Sequence, residues 1–190
     1  MLFKKKIKDH RDYSFLALDM HNHVLPGLDD GAQNIENSFI LLAELKNLGF
    51  DKLIPTPHIY SGLYPNSKDS IEKSFKSIEK EIANHDEYPE LLSYTAEYML
   101  DDHFSTYRSN KEVLSFCNNR VLIEMSFADI APMLFEEIFQ LRLLGYIPVL
   151  AHPERYPYLY GDIEYFKHLV SIGCELQLNL LSLTNQYGKG

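Results

Sequence analysis

Tryptophan is absent from the 190 residues, cysteine occurs only twice, and no apolar run approaches the roughly 18 residues of a membrane span. Two cysteines far apart, Cys117 and Cys174, offer no disulfide framework and are expected to pack as small apolar residues. The basic opening "MLFKKKIKDHRDYS" is followed by no apolar stretch of signal-peptide length. Residues 1–14 are therefore expected to form a solvated leader, with weak attachment to an anionic membrane surface as the alternative. No integral membrane segment and a reducing, cytoplasmic location are the matching expectations. Positive charge is also scarce: 18 Lys and Arg stand against 27 Asp and Glu, a formal net charge of -9. That balance excludes broad nucleic-acid binding, because phosphate backbones demand Lys and Arg. It leaves open phosphate binding in which metal ions supply the positive charge.

Core material is plentiful: 45% of residues are hydrophobic, with 11 Phe and 13 Tyr, so residues 15–190 are read as one globular domain. Apolar, strand-like runs alternate with segments of helical spacing. The strands are expected at 15–21, 52–56, 91–97, 120–126, 146–152 and 174–180. The helices are expected at 34–50, 69–85, 132–145 and 162–173, with a weaker helical stretch after residue 97. The second helix carries Ile71, Phe75, Ile78 and Ile82 at helical spacing. Mostly continuous apolar strands alternating with helices point to βα units and a parallel sheet or barrel covered on both faces.

Titratable residues fall at one repeated place in this rhythm. His21 and His23 end the first strand, His58 follows the second, Glu97 ends the third, Glu124 lies near the end of the fourth, and His152 ends the fifth. Strand C-termini converge on one rim in an α/β barrel. Histidines two apart on a strand share a face, as a common metal requires. Imidazole and carboxylate together suit Zn²⁺, Mn²⁺ or Fe²⁺, and ions about 3.5–4 Å apart would clamp an oxyanion. Each residue has an ordinary alternative. His-x-His is tolerated on a half-buried strand, Glu97 can be a solvated strand end, and His152 a hydrogen-bonded core histidine. Glu124 is harder to dismiss, since its neighbours are apolar and a buried carboxylate needs a partner. Asp29-Asp30-Gly31 is turn chemistry, although Asp30 can also serve as a ligand. His85, His103 and His168 read as solvated.

The motifs "DMHNHVLPGLDDGA", "TPH", "AEY", "LIEMS" and "AHPERY" resemble those of the polymerase-and-histidinol-phosphatase (PHP) superfamily. Within it they are similar to the bacterial metal-dependent protein tyrosine phosphatases of capsule and exopolysaccharide operons, from about residue 16 onward. The resemblance implies a distorted (β/α)7 TIM-like barrel holding up to three divalent ions, often manganese, with iron or zinc as alternatives. It makes His21, His23, Asp30, His58, Glu97, Glu124 and His152 metal ligands, with Glu97 bridging. It gives Arg155 the phosphate, which a planar guanidinium can hold bidentately; the alternative is a surface arginine on a turn. It names phosphotyrosine in a protein as substrate, and an autophosphorylating tyrosine kinase of polysaccharide export as partner.

The family completes its cluster with an Asp-x-His motif on a later strand, and no histidine follows Leu180 here. The expectation is thus a barrel lacking its C-terminal strand, either a fragment or a truncated variant binding fewer ions. Neither cysteine has an arginine six positions later, so the chemistry of cysteine-dependent phosphatases is absent. The rival readings are a small-molecule phosphoesterase of the histidinol-phosphatase kind and an inactive metal-binding barrel. Oligomeric state is not legible.

Overall fold

All the strand-like runs pair in parallel. A computed structural model describes residues 12–83 and 85–184, so all but residues 12–14 of the expected leader at 1–14, and the polar stretch at 185–190, lie outside the described residues. The strands are β1 (Leu18–Asp19), β2 (Lys52–Leu53), β3 (His58–Ile59), β4 (Glu90–Leu91), β5 (Glu97–Met99), β6 (Arg120–Glu124), β7 (Ile147–Ala151) and β8 (Glu175–Gln177). They form one sheet of order β1-β2-β4 and another of order β3-β5-β6-β7-β8. No closed barrel is formed by backbone pairing among the described residues.

The division into two sheets has a chemical cause. Pro55 and Pro57 separate β2 from β3, and proline accepts a hydrogen bond but cannot donate one. Thr95 and Glu97 still donate to the carbonyls of Pro55 and Pro57, both at 3.0 Å. On the other edge, Ile54 and Thr56 donate to Asp19 and Asn22, both at 2.9 Å. Residues 52–59 and 90–99 are thus continuous extended segments with half their ladder missing. The first expected strand is shortened for a different reason: Ser14–Leu16 is a 3₁₀ turn and Ala17 has φ 58°, which ends extension before Leu18.

Among the described residues five α-helices follow the strands: α1 (Ile35–Asn47), α2 (Lys68–Ile82), α3 (Phe104–Ser109), α4 (Leu134–Leu143) and α5 (Ile163–Ser171). Three of them, α1, α2 and α5, start at a short polar capping side chain, whereas α3 and α4 have no side-chain cap. Asn34 accepts from the Asn37 amide, Ser67 and Ser70 form a reciprocal capping box, and Asp162 accepts from the Tyr165 amide. The predicted stripe on α2, Ile71, Phe75, Ile78 and Ile82, is buried against the sheet layer.

Strand alternation sends β6 side chains to two cores. Val121 and Ile123 join the large core beneath the helices, whereas Leu122 joins a smaller one with Ile54, Phe116, Val149 and Ala151. That smaller core lines the concave face of the sheet, and the site is built on the same face.

Candidate metal centre

Register explains how distant residues meet. His58 pairs with Glu97, Glu97 with Leu122, and Met99 with Glu124. Residues 97 and 99 share a face, as do 122 and 124, so His58, Glu97 and Glu124 all project onto the concave side. His21 and His23 arrive from the end of β1, and His152 from the end of β7. The imidazole rings pack at centroid distances of 5.6 Å for His21 and His23, 4.6 Å for His23 and His58, and 5.6 Å for His21 and His152. The predicted residues meet in one cavity of about 760 Å³, which Arg155 and Phe127 also line.

Glu97 stands at the centre and is fully buried. His21 Nε2, His58 Nδ1 and His23 Nε2 lie 3.1, 3.2 and 3.4 Å from its Oε2. None meets that oxygen with hydrogen-bonding geometry, so a buried carboxylate oxygen is left without a hydrogen bond. Its other oxygen accepts from His152 Nε2 at 2.9 Å, while His152 Nδ1 is buried without a partner. Orphaned buried polar atoms are costly, on the order of 1–3 kcal/mol each, and call for an explanation. Shared metal ligation supplies one: atoms about 2.1 Å from a common ion are themselves about 3.0–3.4 Å apart. The residues present fit divalent ions. Three overlapping triads, His21–Glu97–His152, His23–Asp30–His58 and His58–Glu97–Glu124, each bring ligand atoms within 4.8 Å of one another.

The electrostatics follow from packing histidines around carboxylates. Burial alone would raise the Glu97 carboxyl, but His21 and the hydrogen bond from His152 hold it well below the usual range. Burial would lower the histidines, yet the acids outweigh it: His21 is raised by Glu97, His58 by Glu124 and Glu97, and His23 by Asp29 and Glu97 to about 10. Glu124 moves the other way, raised first by burial and then by the charge of Glu97. The two neighbouring carboxyls are therefore driven apart.

Asp30 is the least enclosed of the expected ligands. Its side chain is 66% exposed, with Oδ1 3.6 Å from His58 Nε2. Its neighbour Asp29, read from sequence as a turn former only, is buried and accepts from His23 Nδ1 at 2.8 Å and from the His58 amide at 2.9 Å. Asp29 thus orients two histidines from behind, as outer carboxylates do around metals. Gln177 was also missed: its Oε1 lies 2.7 Å from His21 Nδ1. The signal was available, since Gln177 ends β8 as Glu124 ends β6 and as His152 follows β7, although His58 and Glu97, expected at strand ends, open β3 and β5. Gly31 permits the close turn, because a Cβ there would lie 2.1 Å from the His23 carbonyl oxygen. His152 has φ 34° and ψ 54°, a left-handed backbone of the strained kind found at functional sites.

Other expectations divide. His85, His103 and His168 are exposed, as read, and Cys174 is buried. Cys117 is not packed: it is exposed on a turn where residues 117–119 all have positive φ, which turns its side chain away from the core. No helix among the described residues is long and apolar enough to cross a membrane.

Known proteins resemble this chain in sequence and fold. A capsular polysaccharide synthesis family, CpsB/CapC, matches residues 17–190. The chain is 30% identical over 174 residues to tyrosine-protein phosphatase YwqE of Bacillus subtilis (strain 168), covering 90% of this chain and 68% of that protein. It is 30% identical over 165 residues to tyrosine-protein phosphatase CpsB of Streptococcus pneumoniae, covering 85% and 67%. Crystal structures of YwqE from Bacillus subtilis and CpsB from Streptococcus pneumoniae, described as unique metal-dependent tyrosine phosphatases, include a chain that superimposes with TM-score 0.80 at 29% identity, covering 90% of this chain and 70% of that one. The chain belongs to the CpsB/CapC family of capsular polysaccharide synthesis.

Proposed function

We propose that this chain is a metal-dependent protein tyrosine phosphatase acting in the regulation of capsular or exopolysaccharide synthesis. The observation that carries the reading is Glu97 Oε2, buried among three imidazole nitrogens with no hydrogen bond. The three triads accommodate up to three ions, with manganese the first candidate and iron or zinc the alternatives. Bound ions would supply an activated water as nucleophile and positive charge against the phosphoryl oxygens.

The chain's own residues do the rest. Asp29 and Gln177 hold the His23 and His21 rings by their Nδ1 atoms, leaving each Nε2 directed at Glu97. Arg155, at the mouth, binds and orients the phosphoryl oxygens bidentately. The tyrosine phenolate, whose conjugate acid has a pKa of about 10, leaves more readily than an alkoxide and needs less general-acid help.

The finer architecture belongs to the same reading: both sheets are arcs of one distorted (β/α)7 barrel of the PHP type. Support comes from the hydrogen bonds that run across residues 52–59 and from the His21–Gln177 contact between the first and last strands. Residues 15–190 would be the barrel domain behind a basic leader. The substrate would be a phosphotyrosine protein in the cytoplasm, an autophosphorylating tyrosine kinase of polysaccharide export being the natural partner. The decisive assay is Mn²⁺-stimulated hydrolysis of a phosphotyrosyl peptide. It should be lost in His21→Ala and Glu97→Ala, and full activity in excess chelator refutes the reading.

A further inference from the structure

One large aromatic at the cavity mouth keeps about half of its surface open despite its packing. Phe127 is 48% exposed, although its position is tightly held. The residues before it are tied down by two tyrosine hydroxyls: the Met125 amide donates to Tyr156 Oη at 3.0 Å, and Tyr158 Oη donates to the Ser126 carbonyl at 2.6 Å. The two tyrosine rings stack on each other at 5.7 Å, which makes the anchor a single unit. Phe127 itself packs against this unit in a tilted contact, 5.9 Å from the Tyr156 ring.

Its other neighbours belong to the site. The ring centroid is 5.7 Å from that of His152, and the Arg155 guanidinium carbon sits 4.7 Å from the Phe127 centroid. The group that would hold phosphate and an exposed aromatic face are therefore fixed relative to each other. A cation over a ring within about 6 Å is an attractive pairing, so the two positions reinforce one another. An exposed apolar ring on a pre-ordered loop has already given up its conformational freedom, and is ready to cover another ring at little further entropic cost.

We infer that Phe127 is a specificity-determining residue that stacks on the phenyl ring of a phosphotyrosyl substrate while Arg155 beside it engages the phosphoryl oxygens. This rests on the phosphatase reading and deepens it. Phe127 contributes no chemistry; it selects an aryl over an alkyl phosphate ester by offering a ring surface next to the phosphate position. Aromatic pairs prefer offset or tilted contacts with centroids about 4.5–7 Å apart, and an exposed ring at the mouth can adopt them with an entering ring.

The test is direct binding, separate from turnover. Phenylphosphonate and methylphosphonate are titrated calorimetrically into the full chain loaded with Mn²⁺. The unaltered protein should bind the phenyl compound more tightly. Phe127→Leu should erase most of that preference, a fall of roughly ten-fold in the affinity ratio, and Phe127→Tyr should retain it. Because the readout is a ratio, any general loosening of Arg155 affects both compounds and cancels. An unchanged ratio in a folded Phe127→Leu protein overturns the inference, as does a lost ratio in Phe127→Tyr. If Phe127→Leu does not fold, Phe127→Tyr and Phe127→Met carry the same comparison. A metal-loaded protein that binds neither compound would instead sink the phosphatase reading, and this inference with it.

Discussion

The concave face of the sheet carries charged residues at both ends, and the two ends are satisfied differently. At the lower end Arg120 faces Glu175 through two hydrogen bonds, Nε to Oε2 at 2.7 Å and Nη2 to Oε1 at 2.8 Å. Arg120 also donates to the Cys117 carbonyl at 2.8 Å. Every atom there has a partner and the pair is open to solvent. At the upper end, beyond the Leu122 and Val149 layer, Glu97 and His152 keep buried atoms with no hydrogen-bond partner. A protein arranging charges for stability alone would finish the upper end as it finished the lower. The unfinished end is the one shaped for a guest.

Four experiments break or sharpen that contrast. The largest effect should come from Glu97→Gln, which keeps shape and removes charge at the centre of the triads. Phosphotyrosyl-peptide hydrolysis should fall by more than about 100-fold, beyond the range seen when outer partners of a metal are removed. Retained activity would make Glu97 a structural residue like Glu175.

Metal loading should come next, and its pH dependence has a definite sign. His21, His23 and His58 are raised above the ordinary histidine value, His23 to about 10, so in metal-free protein His23 holds its proton at pH 7. Their stabilising contribution is complete below a pH of about 6.5 and is lost as pH rises through their folded values, about 10 for His23. Metal needs neutral imidazole. Mn²⁺ binding should therefore release protons at pH 7 and tighten toward pH 9, while metal-free melting temperature declines between pH 7 and 10. Calorimetry in buffers of different ionisation enthalpy reads the protons directly, and proton uptake would contradict the charge assignment.

Asp29→Asn should weaken Mn²⁺ affinity by about ten-fold, because both Asp29 oxygens accept, from His23 and the His58 amide on one side and the Gly31 amide on the other, and asparagine keeps only one uncharged acceptor. An effect on melting temperature without one on affinity would return Asp29 to its reading as a turn former. The smallest effect belongs to Glu175→Gln at the lower end. The pair is partly exposed, with Glu175 at 44%, so stability should change by less than about 1 kcal/mol, with hydrolysis unaltered. A loss of activity there would show that the two ends are coupled.

Much of this was legible because periodicity reports burial. The α2 stripe and the positions of β6 and β7 follow from apolar spacing, and the site residues from their shared place at strand ends. What was not legible depends on groups that carry two meanings. Pro55 lies in an apolar strand-like run and Pro57 just after it, but their missing donors interrupt the ladder and leave two sheets. Asp29 satisfies a turn and a histidine at once, and only the fold shows which way its carboxylate faces. Phe127 looks like ordinary core material; its exposure follows from where Tyr156 and Tyr158 pin the loop, which no local spacing reveals. Cys117 was misread because its burial depended on a left-handed turn that nothing in its neighbours announces.

The strand-end origin of the cluster also bears on how the chain folds. Its donors come from β1, β3, β5, β6 and β7 and their flanking turns, so they are remote in sequence and meet only when the parallel sheet is assembled. Such pairings form late, after the loop-closure entropy of each crossover has been met. An early intermediate lacking β7 cannot present the whole cluster, because the His21–Glu97–His152 triad needs the ends of β1 and β7 around β5. Bound Mn²⁺ should therefore act chiefly by slowing the escape from the native state, leaving the rate of folding nearly unchanged. The metal would be a latch on the finished sheet rather than a seed for it.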